Sequence, residues 1–305
     1  MQSRHLVTAS LLAAACATVS AAQAPVIPAN LDTAVVPETV ADLGRGVHVI
    51  TGALNNTTVV EGPRRLIVID TQFAPRYQAI AARIAAISTK PVLYVVNTHY
   101  HYDHTGGNAQ FRAHGARIFA QANVARRMAA PPVNPLTGLP DVPASPDALP
   151  TESYATSQRS MTLGGVAVRL IHPARAHTDG DTVLVLTGRD VIATGDIVGN
   201  HYPNIDVAVG GGIDGVIATT TAIIALLDDR TRVIPGHGPV LGKADVIAYR
   251  DMLRTARDRI ARAKAAGMTE QQVLAANLLA DLDARWKGPS PMANRFPVNV
   301  YRSLP

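Results

Sequence analysis

The stretch NTHYHYDHTGG, from Asn97 to Gly107, crowds His99, His101, Asp103 and His104 into six residues of a chain that holds ten histidines in all. Imidazoles and carboxylates are costly to bury unless every nitrogen and oxygen finds a partner. The run leading into the cluster, PVLYVVNTH over 91–99, is continuously apolar and predicts a buried strand. Whatever fold the chain adopts must therefore deliver the end of an inner strand to a place that can use three imidazoles. In extended backbone an H-x-H alternation sends both rings to one side, where they can reach one ion. Asp103 and His104 follow as the chain turns and are placed to serve a second ion close by. Asp103 alone would be explained as a helix cap near Thr105–Gly107. Three histidines beside it are not explained so cheaply.

Three later pieces close or follow strands in the same manner: His177 after VRLIHPARA, Asp196 in VIATGD and His237 in RVIPGHG. Taken singly, His177 is balanced between ligand and structural residue, and Asp196 and His237 favour a structural role. Their joint appearance after strands shifts the balance, because α/β proteins gather ligand groups at strand ends followed by tight glycine turns. Imidazole and carboxylate are the ligands zinc takes when no thiolate is at hand.

Short β-branched or alternating runs at 46–52, 57–62 and 64–70 predict antiparallel strands. A helix is expected over 74–88, ahead of Pro91, then a strand at 116–121 and a helix at 121–129. Residues 130–160, with Pro131, Pro132, Pro135 and Pro140, read as a long irregular connection, either an active-site flap or a passive linker. Strands at 166–172, 182–188 and 190–196, a helix at 214–227, a strand at 232–237, a long helix at 243–267 and a helix over TEQQVLAANLLADL complete the pattern. The two halves share one grammar without a detectable sequence repeat. Two sheets meeting face to face beneath outer helices would satisfy it. No low-complexity linker divides the halves, so 25–305 is expected to form one domain with a C-terminal helical extension.

The first residues, MQSRHLVTASLLAAACATVSAAQA, combine a cationic start, a short apolar run and an A-x-A ending, and read as a signal peptide cleaved after Ala24. The run is too short for a membrane span. Lipoprotein processing at Cys16 ranks second, since Ala13 stands where a lipobox usually has Leu. A periplasmic or secreted location without stable membrane insertion is expected, and cleavage would remove the chain's single cysteine. Disulfides, thiol nucleophiles and thiolate ligands would go with it. The net charge of +5 is spread without a basic run or an aromatic-interleaved patch, which speaks against nucleic acid and for a small-molecule substrate.

HYHYDH resembles the HxHxDH signature of the metallo-β-lactamase fold superfamily, and AHTDGD, ATGD and PGHG follow in that family's order from about Val47 to Leu253. The resemblance implies a four-layer αβ/βα sandwich of the α/β class with two zinc ions at one edge. It implies a first zinc on His99, His101 and His177, a second on Asp103, His104 and His237, and Asp196 bridging the two. It further implies a hydrolase whose bridging hydroxide attacks a carbonyl, with Asp103 orienting the hydroxide and relaying its proton. Where this chain has Asp196, one lactamase subclass carries Cys and another, which shares HxHxDH, usually Ser. Asp is similar to the hydroxyacylglutathione hydrolases, lactonases and tRNA-processing nucleases of the superfamily. This departure argues against efficient β-lactam hydrolysis and leaves room for a weak or promiscuous one.

The expected function is therefore opening of a cyclic amide, lactone or related ester. Two other classes stand beside it. One is a redox protein, although iron-holding superfamily members that reduce oxygen add a flavin domain that this sequence does not show. The other is a non-catalytic metal-binding partner of an exported pathway. His201 and Tyr202, in NHYPNID, are candidate substrate contacts, with Tyr202 as an oxyanion donor or simply a packed aromatic. His48 and His172 read as satisfied core residues and His114 as surface. Asp179 and Asp181 either hold the His177 ring or shape a turn.

Overall fold

The computed structural model describes residues 37–52, 55–133, 141–288 and 291–305, so the expected signal peptide, Cys16, Pro135 and Pro140 lie outside the described residues. One sheet takes its seven strands in chain order: β1 (Thr39–Asp42), β2 (Val47–Thr51), β3 (Asn56–Glu61), β4 (Leu66–Ile69), β5 (Val92–Val96), β6 (Arg117–Gln121) and β7 (Glu152–Tyr154). The first four strands pair antiparallel, and β4 through β7 pair parallel. Parallel neighbours need crossovers. These are α1 (Tyr77–Ile87), then α2 (Tyr102–Thr105) and α3 (Asn108–Ala113), then α4 (Ala122–Ala129). The second sheet consists of β8 (Gln158–Leu163), β9 (Val166–Ile171), β10 (Val183–Leu186), β11 (Val191–Gly195) and β12 (Arg232–Pro235), in the order β12-β11-β10-β9-β8. Only its β11–β12 pair is parallel, joined over α5 (Ile213–Ile224).

The period-two alternation of these strands sorts their apolar residues into layers. Val60, Ile67, Ile69 and Val96 of the first sheet meet Leu170, Leu184, Leu186 and Ile234 of the second in one buried cluster. The alternate residues Val59, Val68 and Val95 face outward onto Ile80 and Ile84 of α1 and Phe111 of α3. On the other side Ile192 and Val233 pack against Val216 of α5 and against Val246 and Leu253 of α6 (Lys243–Ala265). The result is the four-layer sandwich, helices outside two facing sheets.

Several elements depart from the sequence expectations, β8 and the short helices α2 and α3 being among those not anticipated. β1 lies ahead of the first expected strand; it is an edge strand exposed along its whole length, so it carries no apolar alternation to read. β7 lies inside the expected irregular connection of 130–160: three residues long, it is recruited by parallel pairing to β6 rather than by its own pattern. The helix expected over 269–282 is broken into α7 (Glu270–Ala275) and α8 (Ala280–Trp286), with Asn277 between them in the left-handed region at φ 44°. A last helix, α9 (Phe296–Ser303), buries Phe296 and Val300 against the outer core of the second sheet.

Pairing register decides what shares the sheet edge. Ile69 of β4 sits beside Val96 of β5, which brings Asp70 next to the Asn97–His99 run. Gly195 of β11 lies opposite Pro235 of β12, which brings Asp196 next to His237. The Thr182 amide donates to the Thr98 carbonyl at 2.7 Å, tying the ends of both sheets at one point. The inter-sheet layer should carry much of the stability: Leu184→Ala, at a fully buried position, should cost about 2–5 kcal/mol in denaturant unfolding. A loss below ~1 kcal/mol would show that the sheets are not packed through this layer.

Candidate metal centre

Six of the seven sequence candidates fall into two sets of three donor atoms, and the seventh lies between them. In one set His101 Nδ1 is 3.0 Å from both His99 Nε2 and His177 Nε2. In the other, His104 Nε2, His237 Nε2 and Asp103 Oδ2 are 3.3 to 3.6 Å apart. A tetrahedral zinc with bonds of about 2.0–2.1 Å holds its ligands roughly 3.3 Å from one another, so both sets have the spacing a metal ion requires. Asp196 reaches both. Its Oδ1 is 3.3 Å from His104 Nε2, and its Oδ2 is 3.2 Å from His237, 3.7 Å from His177 and 3.9 Å from His99 at Nε2. Each set can hold one divalent ion, and Asp196 is placed to touch both.

The rings are aimed by partners on their far nitrogens, the arrangement that fixes tautomer and orientation in metal sites. His104 Nδ1 donates to Asp70 Oδ2 at 2.8 Å, and His99 Nδ1 to Thr98 Oγ1 at 3.0 Å. The Thr98 hydroxyl and amide donate in turn to Asp70, at 2.7 and 2.8 Å. His101 Nε2 donates to Asp206 Oδ2 at 3.1 Å, and His177 Nδ1 to the Asn204 carbonyl at 2.6 Å. In its neutral form each of these four rings then has the lone pair of its inward nitrogen to offer. Asp70 does this from a left-handed backbone, φ 59°, a conformation most side chains avoid and Asp tolerates. Two glycines of the motif pieces are also steric necessities. A Cβ on Gly236 would lie 2.0 Å from Asp196 Oδ1, and one on Gly195 would lie 2.5 Å from Thr98 Oγ1.

Electrostatics divide the two sets. Burial pulls His99 well below the usual imidazole range, helped by the neighbouring His104, and pulls His177 down to about 4. Burial opposes protonation of His104 too, but Asp196, Asp103 and Asp70 outweigh it and lift the ring to about 9. His237 rises well above the usual range by the same contest, with Asp196 and Asp103 prevailing. His101 is raised because its hydrogen bond to Asp206 overcomes burial. Despite burial, the imidazoles hold Asp103 and Asp196 as carboxylates, His104 foremost for Asp103 and His237 for Asp196.

The remaining sequence candidates sit elsewhere. Tyr202 is not an oxyanion donor in this geometry: it stacks on Phe296, and its hydroxyl donates to Asp283 Oδ1 at 3.0 Å, away from the donor sets. His201 stays at the rim, its ring 6.4 Å from that of His237. Neither carboxylate of HTDGD holds the His177 ring. Asp179 pairs with Arg126 and Arg127, and Asp181 accepts from the Thr178 amide at 2.9 Å, fixing the turn instead. His48 meets Glu61 and Asp42, His172 donates to the Asp181 carbonyl, and the exposed His114 bonds Tyr77. Asp70, Asp206 and Asn55 are site residues the sequence reading missed. Asp70 carried a usable signal, an acid closing the strand LIVID. Asp206 closes the NHYPNID segment, but it lies in a loop seven residues before α5, and nothing in that segment points to His101.

The family model of the metallo-beta-lactamase superfamily matches residues 50–241. The chain belongs to that superfamily. Among curated relatives, the 2,4-dinitroanisole O-demethylase subunit alpha of Nocardioides sp. is 27% identical over 155 residues, 50% of this chain and 44% of that protein. The hydroxyacylglutathione hydrolase of Anaeromyxobacter dehalogenans is 31% identical over 161 residues, 52% of each. The chain thus spans about half the length of the curated relatives it matches. Among solved structures, the inverting sec-alkylsulfatase Pisa1 from Pseudomonas sp. superposes with a TM-score of 0.68 at 18% identity, covering 88% of this chain and 50% of that one. At that identity the likeness shows the fold.

The superfamily's metal chemistry would depend on ring aim. Asp206→Ala, which removes the acceptor for His101 Nε2, should weaken ion binding at the three-histidine set by about 10–100-fold in competition with a chromophoric chelator. Unchanged affinity would show that Asp206 does not orient His101.

Proposed function

We propose that this chain is an exported dinuclear zinc hydrolase that opens a cyclic amide, lactone or related ester of a small-molecule substrate, with β-lactams taken weakly or promiscuously. The observation that carries the reading is the Asp196 carboxylate, within 3.9 Å of four imidazole nitrogens drawn from both donor sets. Two bound ions would supply Lewis acidity, lowering the pKa of coordinated water toward 7 and offsetting charge on a substrate oxygen. The chain's own residues account for the rest. Asp196, ionised, balances the charge of two cations and keeps the sets in register. Asp103 is ionised at neutral pH and a quarter exposed, 25% against at most 1% for His99 and His104. It is therefore placed to accept a proton on the open side and pass it to a leaving group. The His101, Asp103 and His237 side, 21–25% exposed, is where a substrate would enter. The hydroxyacylglutathione hydrolase and alkylsulfatase relatives extend the ester classes worth testing to thioesters and sulfate esters.

The purified chain should contain zinc and turn over at least one of a γ-lactone, nitrocefin, an acyl thioester or an alkyl sulfate, and EDTA should abolish that turnover. Asp196→Ser should lower occupancy of the His104/His237 set. Turnover that survives complete metal removal would sink the proposal.

Proton release offers a separate check. Ion binding requires neutral imidazole, and His104 holds its proton up to about pH 9, with His237 raised as well. Loading this set at pH 7 should therefore expel protons from two rings, and its affinity should climb as pH rises toward 9. Loading the other set, where His99 and His177 are already neutral, should expel fewer. Calorimetry in two buffers of different ionisation enthalpy measures the difference; equal release would overturn the assigned charge states.

A further inference from the structure

Asn55 occupies none of the positions that the superfamily signature supplies, yet its side chain ends inside the second donor set. It is 1% exposed, and its Nδ2 lies 2.9 Å from Asp103 Oδ2 and 3.4 Å from both His104 Nε2 and His237 Nε2. Those three donors are themselves 3.3–3.6 Å apart. Four atoms with edges between 2.9 and 3.6 Å outline a nearly regular tetrahedron, the figure that ligands draw around an ion with bonds of about 2.0–2.1 Å. The carboxamide stands at its fourth corner.

At the other end of the same amide, Oδ1 is buried without a hydrogen-bond partner, a condition native side chains rarely tolerate. The two ends of a carboxamide differ only in hydrogen bonding, and half a turn about Cβ–Cγ exchanges them. With a cation among the three donors, an inward N–H would face positive charge, whereas an inward Oδ1 would face it with a lone pair. The backbone holds Asn55 at this place. It bridges to His237, and Asn56 donates from its amide to Gly236 and from Nδ2 to Pro235 and Gly238, each at 2.8–2.9 Å. The chain segment entering β3 is thus clamped to the turn that carries His237.

We propose that Asn55 is an oxygen ligand of the second subsite. That subsite then combines two imidazoles with carboxylate and carboxamide oxygens, a harder set than the three imidazoles opposite, and accepts oxygen-loving divalent ions more readily than the first subsite does. The inference rests on the dinuclear reading.

Zinc titration of the full chain against a competing chelator, followed by cobalt substitution and visible spectra, tests it. Asn55→Leu and Asn55→Ala should weaken the second ion about tenfold or more and leave the first unchanged, which also certifies the fold of each variant. Asn55→Asp, which keeps an inward oxygen, should restore second-ion binding. The cobalt bands of the second subsite should shift in Asn55→Leu as a ligand is lost. A second-ion affinity within twofold of wild type overturns the assignment. So does weakened binding with unshifted cobalt bands, which would make Asn55 only a positioning donor to Asp103. A wild-type chain that binds one ion in total would instead overturn the dinuclear reading itself, a distinct outcome.

Discussion

Five imidazoles and two carboxylates share one edge of this sandwich, and burying them together is the constraint that the surrounding structure answers. Each group would cost several kcal/mol if left unpaired in an apolar setting, so their neighbours cannot be chosen for packing alone. Asp70 shows the consequence. It accepts from the Thr98 amide and hydroxyl and from His104 Nδ1, thereby joining the ends of β4 and β5 to the short helix α2 through one carboxylate. The apolar layer between the sheets stops where that network begins. Its outermost members, Ile69, Val96, Ala193 and Ile234, each directly precede, or lie within three residues of, a polar residue of the site.

The two donor sets are not equivalent, and the asymmetry follows from which carboxylates stand near which rings. His99 and His177 are buried with imidazole neighbours and stay neutral. His104 and His237 face Asp103 and Asp196 and hold protons. Those protons offset the carboxylates, so the second set is electrically tolerable by itself and would have to give them up to a cation, whereas His99 and His177 of the first set already present lone pairs. The graded exposure reinforces this, with the buried rings on one side and Asp103 and His237 on the side open to solvent.

Much of this was legible in the sequence because the signals were local. HYHYDH, ATGD and PGHG mark strand ends, and the strands themselves alternate cleanly enough to place both sheets. Gly195 and Gly236 could be noticed as turn residues, but not as the positions that leave room for Thr98 and Asp196: Gly236 meets Asp196 through the pairing of β11 with β12, and Gly195 meets Thr98 where the ends of the two sheets come together. Asp206 was hard to read for a related reason: it closes NHYPNID, but it meets His101 across 105 residues, a pairing that only the fold creates. The edge strand β1 and the short β7 exist through backbone pairing to neighbours, and hydrogen bonds made by backbone leave no trace in side-chain pattern. The broken helix after Met268 failed differently, because its apolar spacing is helical on both sides of Asn277 and only that residue's left-handed backbone interrupts it.

The surroundings of the donor sets are shaped where those sets meet solvent. The superfamily match ends at residue 241, but the wall beside His237 does not. The Tyr202 amide donates to the Trp286 carbonyl at 2.6 Å, and Gly288 approaches His201 so closely that a Cβ there would meet the His201 Cβ at 3.1 Å. The C-terminal helices thus brace the loop that sets His201 at the rim, 6.4 Å ring to ring from His237. Tyr202, turned into those helices and bonded to Asp283, serves as their anchor rather than as a group for the substrate. The donor atoms follow the superfamily signature, and the shape of the entrance depends on a segment outside it.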